Sequence, residues 1–166
     1  MFILCTRKFA IMTPPRCGHT NMYHYFGIQQ HSDTGFHTED WKQHPNPILV
    51  LRNPLDRVVS SLELFNTLTP TKVHRHSCPY MHYLRKCNFR IIDFYDLEQY
   101  IPRSNLMQSW RSDTRLDDTV TAEDVYLPNN TVYTLEELQQ EVENYKQLML
   151  TRERISVEEW KNLTES

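Results

Sequence analysis

Ile48-Leu49-Val50-Leu51 is the stretch that most narrows the folds open to this chain. An unbroken apolar run of this length suits a strand covered on both faces, the situation of a strand inside a parallel sheet. Arg52-Asn53-Pro54 then turns the chain, and Val58, Val59, Leu62 and Phe65 recur at helical spacing. The charged Arg52 therefore falls at the carboxyl end of a buried strand, where α/β sheets bind ligands.

The rest of the first hundred residues repeats this alternation. Phe9 to Met12 is a short apolar run stopped by Pro14-Pro15, and Asn21 to Ile28 reads as a helix that starts right after the intervening loop. A weak second strand is expected around Ile28 to His31. Thr38 to His44 reads as a helical turn closed by Pro45 and Pro47, and Phe89 to Tyr95 as a further strand. Turns too short for hairpins separate these segments, so the expectation is an α/β fold with a mostly parallel central sheet. Toward the C-terminus, Thr134-Leu-Glu-Glu and Ser156-Val-Glu-Glu are capping boxes, and Leu135, Leu138, Val142, Tyr145 and Met149 follow the first at steps of three and four. Two C-terminal amphipathic helices are predicted. Residues 103–131 are polar and aperiodic, which reads as a long loop. With 166 residues the chain suits a single domain over 1–166.

Charge is unevenly placed. Residues 1–90 carry 11 Lys/Arg against 5 Asp/Glu, a balance of +6, while residues 91–166 carry 7 against 16, a balance of −9. The first half can hold an anion and the second reads as a solvated acidic face. Scattered basic residues without a recognition motif argue against nucleic acid. No apolar run approaches the roughly 20 residues of a membrane span. The order of residues in MFILCTRKF is the reverse of a secretory signal, and Cys5, Cys17, Cys78 and Cys87 have no paired spacing. Reduced thiols and a cytoplasmic location are expected.

Thr13 to Asn21 reads TPPRCGHTN and contains one of only three glycines. A strand followed by such a loop and a helix start offers successive backbone N–H groups to an anion, and Gly18 permits close approach. Arg16 adds a fixed charge and Thr20 a hydroxyl. The pattern lacks the GxxxxGK[ST] of a Walker A loop. On the other stretch Ser60, eight positions beyond Arg52, is placed to share a phosphate with it.

Together these two stretches resemble the PAPS-dependent sulfotransferases, whose donor is 3′-phosphoadenosine 5′-phosphosulfate. Pro15-Arg16-Cys17-Gly18-His19-Thr20 fits the family loop P-[KR]-x-G-[ST/H]-[ST], and Arg52-Asn53-Pro54-Leu55-Asp56-Arg57-Val58-Val59-Ser60 fits R-[ND]-P-x-x-R-x-x-S at each specified position. Phe94-Tyr95-Asp96-Leu97 is a weaker echo of the family's Y-E-D-L. The resemblance covers roughly residues 8 to 100. It implies a three-layer, P-loop-NTPase-like sandwich. Pro15, Arg16, Cys17, Gly18, His19, Thr20 and Asn21 would surround the 5′-phosphosulfate, with Arg52 and Ser60 at the 3′-phosphate. It further implies in-line transfer of a sulfuryl group from PAPS to a hydroxyl or amine of a small-molecule, carbohydrate or protein acceptor, with PAP as product.

Such a transfer needs charge stabilisation at the leaving phosphate and a base for the acceptor's proton. Arg16, standing where the family more often has lysine, serves the first need. His31 is the expected base, with His37, Glu39 and Asp40 as alternatives. No metal is expected, because fixed positive charge does the work of divalent ions. Tyr23, Tyr25 and Phe26 are expected to pack the first helix. His74, His76, Cys78, His82 and Cys87 form only a loose set of ligand types, without a zinc signature. Two other readings compete: a Mg-dependent nucleotide or nucleoside kinase with an atypical phosphate loop, and a non-catalytic nucleotide-binding module.

Overall fold

The computed structural model describes residues 1–29, 32–63, 84, 87–101, 115–127 and 134–165. They form an α/β structure in two compact units, one made of residues 1–52, 87–111 and 152–166, the other of residues 53–86 and 112–151.

The first unit holds a four-stranded mixed sheet in the order β1-β2-β3-β4. Its strands are β1 (Phe2–Cys5), β2 (Ala10–Thr13), β3 (Pro47–Leu51) and β4 (Arg90–Asp93). β2, β3 and β4 are parallel neighbours, with Ile11 opposite Ile48 and Leu51 opposite Asp93. All five residues of β3 are buried, as its unbroken apolar run requires. β1 departs from expectation, because it pairs antiparallel with β2, Phe2 opposite Thr13, through a hairpin. The Thr6 N–H donates to the Phe9 carbonyl at 2.8 Å, and the Thr6 hydroxyl accepts from the Phe9 N–H at 3.2 Å. That side chain stands in for backbone partners and closes the Arg7-Lys8 bend.

Alternation along the strands sends Ile11, Ile48, Val50 and Ile92 to one face. There they pack with Met22 and Tyr23 of α1 (His19–Tyr25), Leu97 of α4 (Phe94–Tyr100) and Trp160 of α6 (Val157–Thr164). Tyr25 and Phe26 pack against the same cluster and against Trp160, so the aromatic residues of the first helix are packing residues, as expected. α2 (Thr38–Gln43) fixes itself to β3 through the Trp41 indole N–H, which donates to the Ile48 carbonyl at 2.9 Å.

The strand expected around Ile28 to His31 does not form at Ile28 and Gln29, and Gln30 and His31 lie outside the described residues. The reason is the end of α1. Gly27 has φ 68° and donates to the His24 carbonyl, and Ile28 donates to the Tyr23 carbonyl at 2.8 Å. This pair of bonds is a Schellman cap, with Ile28 packed on the core beneath it. Ile28 is used to finish a helix and is not available to a ladder.

The second unit contains α3 (Pro54–Glu63), a 3-10 turn (Ala122–Asp124) and α5 (Leu135–Thr151). Leu55, Val58, Ala122 and Leu138 form its core, and the Asp56 carboxylate accepts from the Leu116 N–H at 2.8 Å. Both predicted helix starts are present. Thr134 Oγ1 accepts from the Glu137 N–H at 3.1 Å while Glu137 Oε1 accepts from the Thr134 N–H at 3.2 Å. Ser156 Oγ accepts from the Glu159 N–H at 3.0 Å, but the Glu159 carboxylate goes to Arg90 instead of closing the box.

Trp160 is fully buried between α1, α4 and the sheet. Trp160→Ala is expected to destabilise the chain by about 3–5 kcal/mol, read as a lower midpoint in urea denaturation followed by circular dichroism.

Candidate functional site

The carboxyl ends of β2, β3 and β4 gather three segments at one edge of the first unit: the loop after Thr13, Arg52, and the start of α4 at Phe94. The loop begins as a tight turn in which the Cys17 N–H donates to the Pro14 carbonyl at 3.1 Å. Proline at the second position of this turn presets φ. Its third position needs positive φ and is filled by Arg16 at 63°. Arg16 is the one non-glycine with positive φ among the described residues, a position costing about 1–3 kcal/mol for a side chain of this kind. Gly18 follows with φ 88° and ψ 21°, as the residue that leads into α1, and its carbonyl accepts from the Met22 N–H at 3.1 Å.

Arg52 joins the three segments. Its NH1 donates to the Arg16 carbonyl at 2.8 Å, and its guanidinium carbon lies 4.3 Å from the centroid of the Phe94 ring and 5.8 Å from that of Tyr95. The side chain is 2% exposed. A planar cation that stacks on one ring and donates in its own plane is a task for guanidinium that an ammonium does not match. Phe94 itself is presented by the capped start of α4, where Asp93 Oδ1 accepts from the Tyr95 N–H at 2.7 Å. The sequence reading placed Arg52 here and missed Phe94 as its platform, although aromatic residues right after a strand end are the available signal.

Around the loop, Cys17, His19 and Asn21 are buried, while Pro15, Arg16, Gly18 and Thr20 are partly exposed. Thr13 and Asn21, at the two ends of the loop, are buried at 0% and 1% exposure. Neither the Thr13 hydroxyl nor the Asn21 amide has a hydrogen-bond partner among the described residues. Such atoms carry a desolvation cost of about 1–3 kcal/mol each until a ligand or an ordered water satisfies them. Thr13 was absent from the sequence-derived set, though its place as the last residue of the strand marks it.

Ser60 belongs to the second unit, fully buried on α3 beside Ser61, whose hydroxyl donates to the Arg57 carbonyl at 3.1 Å. The expected base His31 lies outside the described residues, as do His74, His76, Cys78 and His82. Of the alternatives, Asp40 caps α2 by accepting from the His37 N–H at 2.6 Å, and Glu39 lies 3.6 Å from Lys42. The His37 ring is exposed. α2 starts toward the loop end of the sheet. Thr34 donates to the carbonyl of Ile3, which lies opposite Met12, whereas His44 reaches the carbonyl of Thr6 at the hairpin bend. Cys87 is a buried thiol pointing at the Lys42 carbonyl, 3.5 Å away.

Arg52→Met is expected to keep the volume and lose both the hydrogen bond and the cation–ring contact. The expected result is a loss of about 2–3 kcal/mol in denaturant melts and faster amide exchange at Cys17 and Gly18 than elsewhere in the sheet. Set beside protein-family models, curated proteins and solved structures, the chain has no match at a significant level.

Proposed function

We propose that the chain is a sulfotransferase that moves a sulfuryl group from PAPS to an acceptor hydroxyl or amine on a P-loop-like, three-layer α/β frame. One observation carries this reading: Arg52, from RNPLDRVVS, donates to the carbonyl of Arg16, in PPRCGHT, at 2.8 Å. Two stretches 36 residues apart, each matching one half of a single family's donor site, are thus joined by a hydrogen bond.

The residues present fit such a donor. Positive φ at both Arg16 and Gly18 bends the backbone into the concave form that suits an anion. Arg16 and Arg52 supply two permanent charges, and the buried hydroxyl of Thr13 and amide of Asn21 supply polar atoms that a bound ligand would satisfy. When bound, the donor supplies a sulfuryl group attached to a phosphate leaving group. In the proposed reaction the Arg16 side chain, the Thr20 hydroxyl and the loop amides stabilise negative charge on that phosphate. His31 takes the proton of the acceptor, with His37, the exposed ring at the loop end of α2, as the alternative.

Thermal-shift and calorimetric titration with PAP test the donor assignment. PAP at a hundred times its dissociation constant is expected to stabilise the fold by about 2.7 kcal/mol, and the effect is lost in Arg52→Ala. Stabilisation by ATP with magnesium but not by PAP would move the assignment to a kinase. Arg16→Gly is the more telling variant, because glycine accepts positive φ. Its stability should stay within about 1 kcal/mol of the parent while PAP binding falls at least tenfold. Transfer itself is read by following radiolabelled sulfate from PAPS to a panel of hydroxyl and amine acceptors, with His31→Ala as control. PAP binding without any labelled acceptor would leave a nucleotide-binding module.

A further inference from the structure

The second unit carries a cavity of about 630 Å³ whose described lining residues all belong to that unit. Its floor is the edge of the small core: Leu55 and Ala122 are buried there, and Val120 and Val142 half-buried. Its rim is acidic, with Asp117, Asp118, Glu123 and Glu143 all exposed. Among the described residues Lys146 is the one cation in the lining; it lies 3.6 Å from Glu143 and offsets that carboxylate. Asp117 is held in place by the N–H and hydroxyl of Thr119, both 2.9 Å from its Oδ1, and these bonds lower its pKa. Tyr145 adds an aromatic ring to the wall.

We propose that this cavity binds a small organic cation with an apolar body, of the alkylammonium or arylammonium class. The apolar body rests on Leu55, Val120 and Val142, and the ammonium group sits at Asp117 and Asp118. The volume lies within the range of small-molecule pockets. Carboxylates grouped over an apolar floor favour a cation over a neutral molecule and repel an anion. An aromatic wall adds a further preference for ammonium. The proposal stands apart from the donor site of the first unit and does not depend on the transfer reading.

Calorimetric titration of the full chain with 4-phenylbutylammonium, 4-phenylbutanol and 4-phenylbutyrate tests it. The ammonium probe is expected to bind about tenfold or more tightly than the alcohol, with affinity falling as salt is raised, and the carboxylate not to bind. Asp117→Asn combined with Asp118→Asn should bring the ammonium probe down to the affinity of the alcohol. Val142→Phe, which fills the floor from a half-buried position, should abolish binding of both, with circular dichroism melts confirming that each variant is folded. Equal affinity for the three probes, no binding of the ammonium probe at millimolar concentration, or unchanged binding in both folded variants would each overturn the proposal.

Discussion

The guanidinium of Arg52 sets the shape of the loop edge. One N–H holds the Arg16 carbonyl and the flat face covers Phe94, so the ends of β2, β3 and β4 are tied by a single side chain. The tie also explains how a turn with a strained centre persists. Positive φ at Arg16 costs about 1–3 kcal/mol, and a hydrogen bond from a charged donor contributes about 1.5–3 kcal/mol. The two are of the same size, and the ring contact adds to the favourable side. The loop therefore keeps a conformation that its own sequence does not favour at position 16.

That side chain reaches the loop because of register. Leu51 lies opposite Asp93, so the residue after β3 and the residue after β4 leave the sheet at the same level, which places Arg52 over Phe94. On the other side Met12 pairs with Leu49, and the turn after Thr13 falls within reach of the same guanidinium. A shift of one residue in either ladder would turn Arg52 to the opposite face of the sheet.

Local signals in the sequence carried the parts of this arrangement that depend on neighbours along the chain. The buried run of β3, the place of Gly18 in a loop between a strand and a helix, the stop at Pro14-Pro15 and the Thr134 and Ser156 caps were all legible, since each is decided within a few residues. What was not legible depends on distant partners. Phe2 to Cys5 is too short to announce a strand, and its hairpin rests on pairing with β2 and on the Thr6 side chain. Ile28 has strand-like chemistry, yet the Gly27 cap and the core beneath α1 claim it first. The role of Phe94 follows from the β3–β4 register, which no window of one strand reveals. The charge asymmetry was legible as a sum, whereas its concentration around an apolar floor in the second unit required the packing of α3, the 3-10 turn and α5.

Arg16 is the position where local preference and observed sequence disagree most. A turn with proline second and positive φ third asks for glycine or asparagine at the third place. This chain, with three glycines in all, puts one two residues later and leaves arginine in the strained place. The side chain is partly exposed while its neighbours Cys17 and His19 are buried. The carbonyl that Arg52 uses would be offered equally by glycine, so that one bond is independent of the side chain at position 16. What arginine adds over glycine is a permanent charge with a forked donor, held beside a concave backbone and two buried polar groups that have no partner among the described residues. In the reading proposed above, a broken local rule marks a functional position, and an anion is the ligand that this combination of groups suits.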